Sequence, residues 1–169
     1  AKYNPIRKLE LTTFASLGDW RWKGNAHAVV RDEATNTDKT VDVYSDGLYV
    51  GDQPQNQIGG YARYQITKKL DISGIFTYYD KYYAYYDPSS RTTATVTQQA
   101  YKFSDFGILD ARVGYWTKIG SHDTHLQVQV YNILDKDHWI EGNDGSGAAA
   151  GTLVNGFKGW GRNANFSIK

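Results

Sequence analysis

The 169-residue chain predicts an all-β fold, the antiparallel strands of a transmembrane β-barrel, on three observations. Segments of roughly ten residues alternate apolar and polar side chains. Three tight turns alternate with three long polar loops. The polar phase carries Arg, Lys, Asp and Glu in mid-strand, which a dry sandwich core would penalise and a water-filled bore would not. The apolar phase then faces lipid, and the polar phase lines the lumen.

Composition narrows the alternatives. Lys+Arg 19 against Asp+Glu 18 gives a net charge of +1, so no basic surplus points to nucleic acid. A mean hydropathy of −0.60 and the lack of any apolar run near about 18 residues exclude a transmembrane helix but not barrel strands. With Cys 0, neither a disulfide framework nor a thiolate metal site is available. The 14 Tyr, 5 Trp and 6 Phe exceed what a core of this size needs and suit a membrane–water boundary. With no Met and no apolar leader after Ala1-Lys2-Tyr3, a processed or truncated product is expected.

Seven strands are predicted. The first, Leu9 to Leu17, sets Leu9, Leu11, Thr13, Ala15 and Leu17 against Glu10, Thr12 and Ser16, with Phe14 out of phase; Gly18-Asp19 reads as a tight turn. The second, Trp20 to Arg31, sets Trp20, Trp22, Ala26, Ala28 and Val30 against Arg21, Lys23, Asn25, His27 and Arg31. Residues 32–56 are too polar to be embedded. The third, near Ile58 to Thr67, and the fourth, from Leu70 to Tyr78, flank a turn at Lys68-Lys69. A second long loop covers 81–103. The fifth sets Leu109, Ala111, Val113 and Tyr115 against Asp110, Arg112 and Gly114. After a turn at 119–123, the sixth sets Leu126, Val128 and Val130 against Gln127 and Gln129. The third loop, 136–158, contains EGNDGSGAAAG and reads as flexible, its match to a Ca²⁺ loop being poor. The last strand sets Ala164, Phe166 and Ile168 against Asn163, Asn165, Ser167 and Lys169.

Trp20 and Trp22 at a turn end, with Phe76 and Tyr78 at a loop end, suggest two aromatic girdles. Seven is odd, and open strand edges do not survive in hydrocarbon. Residues 1–169 are therefore expected to be the C-terminal portion of a larger barrel. Ala1 to Arg7 would lie at the long-loop end and the C-terminus at the short-turn end.

Several stretches make a resemblance specific when taken in order: LELTTFASLGDWRWKGNAHAVV, VYSDGLYVGDQPQNQIGGYARYQITKKLDISGIFTYYDKYYAYYDP, FGILDARVGYWTKIG and LQVQVYNILDKDHW. They resemble the last strands of TonB-dependent outer-membrane transporters, above all the SusC/RagA-type receptors of Bacteroidota. VQVYNILDKDHW is similar to that superfamily's penultimate-strand pattern, and Val50 to Gln55 resembles a loop of the SusC-type group. Family chains usually end in an aromatic residue, whereas Lys169 is last here. The resemblance implies a roughly 22-stranded barrel in a Gram-negative outer membrane, its C-terminus periplasmic. It implies import of a large nutrient, glycan or peptide, with the rest of the barrel and its plug, a SusD-like lipoprotein lid, TonB and outer-membrane lipid as partners.

Candidate sites follow. Tyr78, Tyr79, Tyr82, Tyr83, Tyr85 and Tyr86 either form girdle and loop packing or contact substrate or lid, Tyr79 and Tyr83 being in lumen phase. Trp139 and Trp160 pose the same choice, with a girdle position favoured for Trp160. Arg21, Lys23, His27, Arg31, Arg63, Asp110 and Arg112 are expected to line the lumen and set its electrostatics. His122 and His125 bracket a turn without a third ligand, so no metal or cofactor is expected. No nucleophile–base pair, HExxH, phosphate loop or CxxC is present, so an enzyme is not expected. The competing reading is a soluble β-sandwich or small-barrel module that binds carbohydrate through its Tyr/Trp loops.

Overall fold

The structure is a computed structural model that describes residues 1–87 and 90–169; residues 88 and 89, inside the second long loop, lie outside that description. One seven-stranded sheet organises the chain. It contains β1 (Lys2–Ile6), β2 (Leu9–Ser16), β5 (Asn56–Gln65), β6 (Leu70–Asp80), β7 (Phe106–Ile119), β8 (His122–Tyr131) and β11 (Asn163–Ile168), in that spatial order. Every neighbouring pair is antiparallel. Two separate hairpins, β3 (Ala26–Asp32) with β4 (Thr37–Val43) and β9 (Trp139–Asp144) with β10 (Leu153–Lys158), belong to the loops. The central strands β5 to β8 hold 10, 11, 14 and 10 residues, enough for the roughly 9–11 residues a tilted membrane strand needs.

Register turns the alternation into two faces, because residues directly opposite each other share a side of the sheet. Leu11, Ala62, Gly74, Ala111, Val130 and Ala164 form one row across six strands. Leu9, Tyr64, Ile72, Val113, Val128 and Phe166 form the next. On the other face the matching row is Glu10, Arg63, Ser73, Arg112, Gln129 and Asn165. The apolar rows are not covered: Ile72 is 41 % exposed, Val113 43 %, Val128 45 % and Phe166 61 %. A soluble sandwich needs a second sheet across that face, and among the described residues none lies there. A water-soluble protein rarely leaves a contiguous apolar patch of this extent.

Two predicted assignments change. Trp20 to Arg31 is not a strand of the sheet: residues 17–55 form one long connection from β2 to β5, and β3 pairs only with β4. Gly18-Asp19 is accordingly no hairpin turn, and Trp20 and Trp22 lie at the long-loop end. In exchange, Lys2–Ile6 is a strand, joined to β2 by a turn at Arg7-Lys8, so Arg7 sits at the short-turn end. Pro5 is tolerated there because the β1–β2 register shifts between Tyr3 and Ile6, an irregularity where a missing N–H breaks no ladder bond. The strand number stays seven. Lys169 lies at the short-turn end, its backbone exchanging bonds of 2.8 and 3.0 Å with His125.

Phe14, the apolar residue in the polar phase, has a local cause. It sits opposite Gly59, and a Cβ on that glycine would fall 2.4 Å from the Phe14 ring. The ring covers backbone that Gly59 leaves bare.

The dry core lies beyond the sheet. Leu48, Tyr83, Tyr86 and Ala100 form one buried cluster, and Tyr82, Ala84, Phe103 and Phe106 another. Both sit where the connections 17–55, 81–105 and 132–162 pack together at one end of the strands. Tyr82 to Tyr86 runs through the middle of this layer. It bridges antiparallel to Lys102 through Tyr83 and parallel to Asn143 through Tyr85. Gly51 packs so closely on it that a Cβ would lie 2.2 Å from the Ala84 carbonyl oxygen.

Candidate functional site

Three buried polar residues knit the loop layer. Gln55 is fully buried; its Oε1 accepts from the Trp20 N–H at 2.8 Å, and its Nε2 donates to the Trp20 carbonyl at 2.9 Å. The side-chain amide thus replaces a strand partner for Trp20. Arg91 and Asp144 form an ion pair at 2.7 Å with both side chains 0 % exposed. Asp144 also accepts from the backbone of Tyr101 at 2.9 Å and Gly151 at 3.0 Å, and Arg91 donates to the Gln98 carbonyl at 3.2 Å. The pair ties the second loop to the third. The stretch around Asp144, expected to be flexible, is instead the β9–β10 hairpin with a short 3₁₀ turn.

The motif in YNILDKDHW acts as a second clasp. Asn132, left-handed at φ 47°, donates from Nδ2 to the carbonyls of Lys136 at 3.0 Å and Trp160 at 3.2 Å. Asp135 accepts from the Arg162 N–H at 2.7 Å. Both bonds reach across the third loop to the residues that launch β11. Asn and Asp tolerate the left-handed region better than other side-chain-bearing residues, which explains their place at φ 47° and 51°.

The expected lumen residues divide. Arg63, Asp110 and Arg112 stand on the polar face of the sheet. Arg63 and Arg112 both reach Asp71, at 3.2 and 3.5 Å, and the Asp71 side chain is only 4 % exposed. Arg21, Lys23, His27 and Arg31 are instead outside the sheet, because the segment that carries them is loop and hairpin. Arg21 lies 3.9 Å over the Tyr49 ring, His27 pairs with Asp42 at 2.6 Å and Arg31 with Asp38 at 3.2 Å. His122 and His125, three apart on one strand, fall on opposite faces. Among the described residues no group of three or more His, Asp or Glu could hold a metal ion.

The tyrosines divide as well. Tyr83 and Tyr86 are buried in the first cluster, and Tyr49 stacks on Tyr83 at 4.3 Å. Tyr85 is 48 % exposed on the outside of the loop layer. Burial pushes the Tyr82, Tyr83 and Tyr86 hydroxyls up to about 12, so all three are neutral packing elements at ordinary pH. Tyr79, Tyr82 and Trp139 do come together. With Asp52, Gln53 and Phe106 they line a cleft of about 360 Å³ where the polar face meets the loop layer. Tyr79 stacks on Phe106 at 4.9 Å, and Phe106 on His138 at 4.8 Å. An aromatic ladder with one carboxylate and one amide at its rim can take a ring-bearing hydrophilic ligand.

Sequence reasoning missed Gln55, Arg91 and the role of Asp144. Each is a polar residue in a polar stretch, and its burial arises from pairing between loops about 35 to 50 residues apart, as the Gln55–Trp20 and Arg91–Asp144 contacts show. Trp160 departs from its expected girdle position: it lines a hollow with Asp110, Tyr131 and Asn163, all in the polar phase.

No protein-family model matches the chain, and no curated protein matches it. Solved structures do. The siderophore receptor PiuA from Acinetobacter baumannii superposes with a TM-score of 0.63 at 15 % identity, covering 99 % of this chain and 20 % of the receptor. The ferric-catecholate import receptor Fiu from K12 E. coli gives a TM-score of 0.46 at 13 % identity, covering 99 % and 25 %. The chain thus spans about one fifth of the length of PiuA, and its fold is similar to a sector of antiparallel β-barrel in that receptor.

Proposed function

We propose that residues 1–169 are the C-terminal portion of the barrel of an outer-membrane TonB-dependent transporter. The activity is nutrient import rather than catalysis. The observation that carries this reading is the uncovered apolar belt, backed across the same strands by Arg63, Asp71 and Arg112. Lipid on one side and water on the other is the environment in which both faces are satisfied. The outer strands β1 and β11 carry unpaired backbone groups that would cost several kcal/mol each in hydrocarbon, which supports further strands of the same barrel on either side. The likeness to PiuA, a siderophore receptor, supports the same architecture.

In this reading the three short turns and Lys169 face the periplasm, and the loop layer faces outward. The ordered sequence motifs support the SusC-like type, with a glycan or peptide as cargo, a plug inside the bore and TonB acting on it. A SusD-like lipoprotein would close over the loop layer. That layer's buried clusters and the Arg91–Asp144 pair give such a lid a preformed floor.

Fractionation of cells carrying the protein tests the proposal. It should pellet with outer membranes, resist an alkaline carbonate wash and dissolve only with detergent. A monodisperse monomer in detergent-free buffer would refute it.

A further inference from the structure

The hollow around Trp160 is a built feature. Trp160 is 82 % exposed, yet its carbonyl is held by Asn132 and the Arg162 N–H by Asp135. The backbone is anchored while the indole stands free. A free indole on the apolar face would be a membrane anchor, but this one shares a hollow of about 430 Å³ with Asp110, Tyr131 and Asn163 of the polar face. Ile108 and His138 line both this hollow and the aromatic cleft beside it, so the two form one trough longer than a single ring.

The charge of the trough selects its occupant. Asp52 and Asp110 contribute carboxylates, and no Lys or Arg is among the residues that line either hollow. Lys158 lies 5.5 Å from the Trp139 ring and is paired with Asp137. An anionic ligand would meet like charge without a partner. A pyranose meets what it needs: an indole for its C–H face, and short acceptors and amides for its hydroxyl rim.

We propose that this trough binds an uncharged pyranose ring of an oligosaccharide, stacked on Trp160 with its hydroxyls toward Asp110 and Asn163. The inference rests on the barrel reading only in taking the polar face as the water-filled one.

The test is isothermal titration of the intact protein in detergent. Maltohexaose, cellohexaose and mannohexaose serve as neutral probes, a ferric tris-catecholate complex as the anionic probe and hexalysine as the cationic one. At least one neutral hexasaccharide should bind. Trp160→Ala should weaken that binding about tenfold, the loss of one stacked ring, and Trp160→Tyr should recover most of it. Trp160 packs into no core, so neither variant should disturb the fold. Failure of every neutral probe would overturn the proposal, as would an affinity unchanged in Trp160→Ala. Trp160-dependent binding of the ferric complex or of hexalysine would overturn it too. A protein that fractionates with outer membranes but ignores all three sugars would lose this subsite and keep the barrel reading.

Discussion

The seven-stranded sheet and the loop layer obey opposite solvent rules within one chain. In the sheet, large apolar side chains such as Val113, Val128 and Phe166 are open to the surroundings, and the buried groups include the charged Asp71. In the loop layer, the rings of Tyr82, Tyr83, Tyr86 and Phe103 are packed dry in two buried clusters. The difference teaches that the sheet's apolar face is finished by something outside the chain, whereas the loop layer buries its two aromatic clusters against itself. A sheet built to be completed by lipid puts its apolar residues where a soluble protein would put its polar ones.

This contrast can be broken region by region. The largest effect is expected in the loop layer from Asp144→Ala, which strands Arg91 in a fully buried site without its counter-charge. Such a loss costs about 3–5 kcal/mol. Hydrogen exchange should show the segments around Tyr82–Tyr86 and the β9–β10 hairpin opening while β5 to β8 stay protected.

A somewhat smaller effect is expected on the sheet's apolar face. Val128→Arg, in the row with Ile72 and Val113, should cost about 2–4 kcal/mol if the position lies near the bilayer midplane. Gln129→Arg, one residue along and on the polar face, should cost far less. Urea unfolding of each variant in lipid vesicles gives the comparison, and equal penalties at the two positions would contradict the assignment of faces.

Gln55→Ala should have the smallest effect of the three. It leaves the Trp20 N–H without its partner, while the Trp20 carbonyl keeps the Val50 N–H at 3.0 Å; the cost is about 1–3 kcal/mol for a group that loses its bond. Protease cleavage should then rise within residues 17–25, and the buried tyrosine clusters should remain intact.

Much of the sheet was legible in the sequence because β5 to β8 combine a period of two, broken at residues such as Ile75 and Trp116, with short basic or Gly-containing turns. The same period misled at Trp20 to Arg31. Alternation identifies a strand but not its partner, and β3 pairs with β4 in water instead of joining the sheet. The missed strand β1 had a signal: Arg7-Lys8 repeats the basic turn at Lys68-Lys69. Tyr3 and Ile6 suit a strand, but β1 is only five residues long and carries Pro5 where its register shifts between Tyr3 and Ile6, so its period is weak.

The site was less legible. Tyr79, Tyr82 and Trp139 do line one cleft, but phase alone could not separate them from Tyr83 and Tyr86, whose burial depends on Leu48 and Ala100 from distant parts of the chain. Asp144 sits among glycines that read as slack. Only the arrival of Arg91 makes it a clasp.

Spin-label accessibility along β7 tests the central claim most directly, since the chain contains no cysteine to interfere. Labels placed singly from Ile108 to Tyr115, in the protein reconstituted into vesicles, should alternate. Positions 109, 111, 113 and 115 should be relaxed by oxygen dissolved in lipid, and 108, 110, 112 and 114 by a water-soluble nickel chelate. Uniform access of the nickel reagent to both sets would contradict a membrane-embedded sheet.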